Sequence, residues 1–182
     1  MTPQRKRTLA TVMVIVLAAP ALIAAMAVLR KTGGTAVSNR RSDEAVVFEG
    51  AAGWTGARGP CTEVRPEDHC DSEWRHESGQ VARVFIIDVP DKAALDNFVG
   101  RLEGAVQKNG GLTERIPQGE LTLVRFLQPA PGGLATLNYA LTSDKLRALH
   151  LVTSVVPYDE QQTADARLRG LLERAVWSTP QG

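Results

Sequence analysis

The chain reads as an α+β protein: an N-terminal transmembrane helix followed by one antiparallel sheet covered by two amphipathic helices, an α/β/α sandwich. Three observations predict this. Thr8 to Leu29 is an apolar run of 22 residues without a charge. Two later stretches, opening at Asp91 and Asp159, carry apolar residues on one helical face. The runs before and between them are strand-like and are separated by proline and glycine.

The apolar run would be about 33 Å long as a helix, against a hydrocarbon core of about 30 Å. Its ten Leu, Ile and Val residues favour insertion by about 3–6 kcal/mol. Pro20 is tolerated with a kink. Arg5, Lys6 and Arg7 make residues 1–7 a basic tail that favours a cytoplasmic N-terminus. Arg30, Lys31, Arg40 and Arg41 weaken that bias without reversing it. Ala25-Met26-Ala27 leaves a cleaved signal peptide as the alternative. The run's length and the missing polar region before that site favour an uncleaved anchor. Both readings carry the body out of the cytoplasm. Residues 30–42 are polar, with paired glycines, and read as a flexible linker.

Residues 43–182, 140 in all, are the size of one domain. They carry 14 basic and 20 acidic side chains, a net charge of −6, because seven of the 21 basic residues precede Asp43. That excludes a basic footprint for nucleic acid and opposes lying flat on an anionic bilayer; it favours solubility. Both cysteines, Cys61 and Cys70, fall on the presumed outer side, where an even count suggests a disulfide. The alanine- and arginine-rich, lysine-poor composition suggests a GC-rich bacterial genome.

Along the domain, Val46-Val47-Phe48 reads as a short strand. Gly50, Gly53, Gly56 and Gly59 then suggest a loop around Trp54, and Pro60 to Gln80 a polar insertion loop. Val81 to Val89 is apolar on both faces at its centre, which predicts a central strand. Pro90 ends it and Asp91 is placed to cap a helix. Leu95, Phe98, Val99, Leu102, Ala105 and Val106 form that helix's apolar face, and Asn109-Gly110-Gly111 stops it. Gly100 and Gly104 suggest close packing on the sheet. Leu112–Ile116 and Glu120–Gln128 flank Pro117-Gln118-Gly119 as a hairpin. Leu134 to Leu141 alternates, with Ala135, Leu137, Tyr139 and Leu141 on one face, and pairs with Leu146–Val156. Asp159 is placed to cap a last helix with Ala164, Leu168, Leu171, Leu172, Ala175 and Val176 on one face, running to Trp177-Ser178.

This order resembles the PsbP-like α/β/α sandwich family over about residues 46–178. Gly53-Trp54 is similar to the family's early "GW" element. Val81 to Val106 resembles its strand leading into an amphipathic helix. Leu137–Leu141, Leu149–Val156 and the helix ending at Trp177-Ser178 resemble its closing strand-strand-helix. The resemblance implies an adaptor or assembly role and passes on no catalytic residue. The Cys61–Cys70 insertion and the anchor depart from the best-known members.

The densest chemistry lies between Glu67 and His76. Cys61, Cys70, His69 and His76 are zinc-type ligands, but they lack paired-ligand spacing, and a charged loop stapled by a disulfide is the simpler reading. His150 reads as a sheet-face histidine with a hydrogen-bond partner. No nucleophile elbow or phosphate-binding glycine loop occurs. Trp54 and Trp74 border the irregular region and are the possible partner contacts; the alternative is that both cover a core edge. The expectation is therefore a non-enzymatic, single-pass membrane protein. It meets the lipid bilayer through residues 8–29 and a protein partner in the cell envelope, with no nucleic acid and no cofactor. The alternatives are a small-ligand or metal-binding secreted domain, or an unrecognised hydrolase.

Overall fold

Apolar side chains on both faces of Val81–Asp88 (β4) place this strand inside the sheet, with a hydrogen-bonded neighbour on each side. The computed structural model describes residues 45–49, 51–59, 61–62, 70–143 and 148–178. The expected anchor (8–29) and linker (30–42) lie outside them. Among the described residues no helix is long and apolar enough to cross a membrane.

The other strands are β1 (Ala45–Phe48), β2 (Trp54–Arg58), β3 (Cys70–His76), β5 (Leu112–Gln118), β6 (Leu121–Ala130), β7 (Leu134–Thr142), β8 (Ala148–Pro157) and β9 (Ala175–Ser178). Six of them join β4 in a seven-stranded sheet of order β2-β3-β4-β8-β7-β6-β5, antiparallel throughout.

Period-2 alternation sends each strand's side chains to two faces, and each face has its own helix. Helix α1 (Lys92–Lys108) lays Leu95, Phe98, Val99 and Val106 on Phe85, Val124, Phe126, Ala140, Leu149 and Leu151. Helix α2 (Gln161–Leu172) lays Ala164, Leu168, Leu171 and Leu172 on Val84, Leu137, Tyr139, Leu141 and Val152. Each large side chain so buried contributes about 1.5–3 kcal/mol of transfer free energy. Asp91 caps α1, its Oδ1 accepting the Ala94 N–H at 2.7 Å. Gly110 leaves the helix at φ +74°, the left-handed step that glycine takes without steric cost.

The structure corrects several expectations. The glycine-spaced loop and the polar insertion contain two strands, β2 and β3, which extend the sheet beyond β4. The last helix stops at Leu172. Beyond it Ala175–Ser178 is β9, which pairs with β1 as a separate two-stranded sheet, so the single sheet expected is two. Ala-Val-Trp continues a helical apolar spacing but also suits a strand; pairing Val47 with Val176 decides it. Asp159 does not cap α2: Tyr158–Glu160 is a 3-10 turn, and Gln161 N–H donates to the Tyr158 carbonyl instead. Gly100 and Gly104 face open space rather than the sheet. The hairpin turn is one step later than expected, with Gly119 at φ +60° and Gln118 opposite Leu121.

Candidate functional site

The β2–β3 edge collects most of the residues the sequence singled out. Trp54 is buried: its indole Nε1 donates to the Arg167 carbonyl of α2 at 3.2 Å, tying the edge strand to the helix. Trp74, half-buried, donates from Nε1 to Ser72 Oγ at 3.3 Å and meets Phe48 edge-on at 5.3 Å. Its ring lies across Gly56. A Cβ there would stand 2.6 Å from Trp74 Cδ2 and 2.5 Å from the Glu73 carbonyl. The glycine spacing that suggested turns thus makes room for a cross-strand indole.

Cys61 and Cys70 form a disulfide with Cα atoms 5.9 Å apart. It holds the chain beyond β2 to the first residue of β3. Thr62, beside it, sits in a polar cluster around Glu73. The Glu73 carboxylate accepts from Thr62 Oγ1, from Arg75 and, at 3.0 Å, from Arg83 Nε, while Arg83 Nη2 reaches the Thr62 carbonyl at 3.2 Å. Burial alone would raise the Glu73 pKa, but bonds from Thr62, Arg83 and Arg75 outweigh it and hold the carboxyl below its ordinary range. With both thiols oxidised, neither is a metal ligand. Among the described residues no three metal-ligating side chains come together, and His69 lies outside them.

At the start of β2 a shallow depression of about 250 Å³ is lined by Gly53, Trp54, Thr55, Arg75, His76 and Glu77. His76 packs edge-on against Trp54 at 5.1 Å. Its Nδ1 accepts the Ser78 backbone N–H at 3.1 Å and lies 2.9 Å from Ser78 Oγ. Gly53 has φ +76°, and a Cβ there would come within 2.7 Å of His76 Nε2. The backbone conformation favours glycine there, and a Cβ would also displace the His76 ring.

A second polar group went unnoticed in the sequence. Tyr139, fully buried, donates to Asp165 Oδ1 at 2.7 Å and accepts from Arg169 Nε at 3.1 Å. Asp165 also takes Arg125 Nε at 3.1 Å and Arg125 Nη2 at 3.0 Å, and Glu114 Oε2 bridges Arg125 and Arg169 at 3.2 Å each. Burial first, and the Asp165 bond second, push the Tyr139 phenol well above its usual pKa. Every polar atom named is engaged, so the group clamps α2 to β5, β6 and β7. The one signal for it was Asp165, beside Ala164 on the helix face that should be apolar. His150 is fully buried on β8, within the sheet as expected.

The class so defined is a two-helix sandwich over an antiparallel sheet, with one tied-down edge. No family model and no curated protein matches the chain. Among solved structures it is similar to cyanobacterial PsbP (CyanoP) from Synechocystis sp. PCC 6803, at 13% identity and TM-score 0.42, covering 80% of this chain and 98% of that one. It is also similar to LpqN, involved in cell envelope biogenesis of Mycobacterium tuberculosis, at 10% identity and TM-score 0.41, covering 79% and 95%. The first of the two bears the name of the family that the sequence resembles.

Proposed function

We propose that this chain is a single-pass membrane-anchored extracytoplasmic protein whose folded body is a non-catalytic binding or assembly module for an envelope protein complex. The observation that carries the reading is the Cys61–Cys70 disulfide. Structural disulfides persist in oxidising compartments, and the apolar run at residues 8–29 would deliver the domain to one. Binding is favoured over chemistry because the titratable groups at the edge are spent on the fold. Glu73 holds Arg75 and Arg83, and His76 holds Ser78.

Crosslinking of the full chain in its native membrane, followed by mass spectrometry, tests the reading. An envelope protein recovered from the anchored chain, and absent when residues 8–29 are replaced by a cleaved signal, is expected. Recovery of no partner above background removes the assembly role. The depression beside Trp54 favours a second reading, a small-ligand site. Melting of the protein that is unchanged by metals and envelope-type ligands removes it.

A further inference from the structure

We infer that the outer edge of β2 is the docking site, and that it takes an extended segment of a partner protein as an added, eighth strand of the sheet. The inference rests on the binding-module reading above and names the mode of binding.

The hydrogen-bond register defines which backbone groups face outward. Glu77 N–H donates to the Gly53 carbonyl at 2.9 Å, and Gly59 N–H to the Asp71 carbonyl at 2.8 Å. With Thr55 opposite Arg75 and Ala57 opposite Glu73, the residues bonded to β3 are Gly53, Thr55, Ala57 and Gly59, because bonded pairs recur every second residue in an antiparallel ladder. Trp54, Gly56 and Arg58 therefore point their backbone groups away from β3. The Trp54 N–H is used by the Ala51 carbonyl. That leaves the Trp54 carbonyl and both groups of Gly56 and Arg58. Among the described residues no strand pairs with that side.

Two further features fit an added strand. The strand is tied down at one end by Trp54 on the Arg167 carbonyl and just beyond the other by the Cys61–Cys70 bridge, which lowers the ordering cost of binding. The depression lined by Gly53, Trp54, Thr55, Arg75, His76 and Glu77 lies at the Trp54 end of this edge. Main-chain bonds supply affinity and such a pocket supplies side-chain selection in strand addition. The opposite edge, β5, carries Pro117, a residue that blunts an edge.

A second copy of this chain fits less well. Antiparallel pairing of two β2 strands about Gly56 sets Ala57 and Gly59 of the copy opposite Thr55 and Gly53, which leaves the depression unfilled. A foreign segment with a branched aliphatic side chain at that place fills it.

The test uses the full chain in its native membrane, with a photo-crosslinking amino acid at Thr55 or, on the far edge, at Leu112. A partner adduct is expected from Thr55 and not from Leu112. Arg58→Pro removes an outward N–H and spares the β2–β3 ladder; it should lower the adduct at least about fivefold, and Arg58→Lys should leave it unchanged. Amide exchange of Gly56 and Arg58 in the unsubstituted protein should slow at least about tenfold in the complex, a readout that stands if Arg58→Pro fails to fold. Adducts from Leu112 alone, or unchanged exchange at Gly56 and Arg58, overturn the edge while leaving the assembly role standing. An adduct formed between two copies of this chain overturns the foreign segment. No adduct from any position overturns both.

Discussion

Asp165→Ala should be the most damaging single polar substitution in this fold. Asp165 is buried beneath α2 and accepts from Tyr139 at 2.7 Å, from Arg125 at 3.0 and 3.1 Å, and from Arg169 at 3.3 Å. Arg125 is itself only 18% exposed, so truncation strands a largely desolvated guanidinium and a fully buried phenol. Breaking a buried pair from one side costs about 3–5 kcal/mol. Glu114 still touches both arginines, which sets the expectation near the lower end, ~3 kcal/mol. The more exposed Arg169 contact adds at most about 1 kcal/mol. Tyr139→Phe leaves Asp165 its two arginines and should cost about 1.5 kcal/mol, the loss of one bond to a charged group. The double variant should then be less damaging than the sum of the singles by about 1 kcal/mol, since the stranded hydroxyl is gone. Urea unfolding of the full chain in detergent, followed by circular dichroism at pH 7, measures all three. A cost below about 1 kcal/mol for Asp165→Ala, or strict additivity with Tyr139→Phe, refutes the clamp.

Four further outcomes are expected. Reducing Cys61–Cys70, or replacing both residues with serine, should cost about 2.5–3 kcal/mol, the loop-closure estimate for their sequence separation of 9; urea midpoints with and without reductant check it. The Glu73 carboxyl has a lowered folded pKa, so its contribution is complete above the unfolded value of about 4.3 and is lost as pH falls through the lower folded one. Glu73→Gln should flatten the stability profile below about pH 4.3 and leave its slope unchanged above that. Gly56→Ala should destabilise by about 1–3 kcal/mol, because the clash is with the Glu73 backbone and a packed indole. Gly100→Ala, in open space on an exposed helix face, should stabilise by about 0.5–1 kcal/mol; thermal melts of the two variants should move in opposite directions.

Elements written in one strong pattern were legible in the chain. The Asp91 cap, the apolar face of α1 apart from Ala105, which is exposed, the centre of β4 and the alternation of β7 are all legible, because burial on one or both faces leaves a periodic trace. Strand β3 left none. Ser72 and Trp74 face one way and Glu73 and Arg75 the other, and only Trp74 is strongly apolar. Strand β2 was hidden by Gly56, whose missing side chain is required by an indole from the next strand. Strand β9 continued the helical spacing of α2, and only its distant partner β1 distinguishes the two. The site follows the same rule. The Cys61–Cys70 pairing was legible from count and compartment, whereas the clamp joins Glu114, Arg125, Tyr139, Asp165 and Arg169 across separations up to 55 residues, which no local pattern encodes.

The measurement that bears most directly on the central claim is the side of the membrane on which the domain resides. Paired reporter fusions after Gly182, one active only outside the cytoplasm and one only inside, read it in living cells. The account predicts activity from the outer reporter alone, with Cys61 and Cys70 refractory to thiol alkylation until a reductant is added. Activity from the inner reporter, with both thiols alkylated at once, contradicts it.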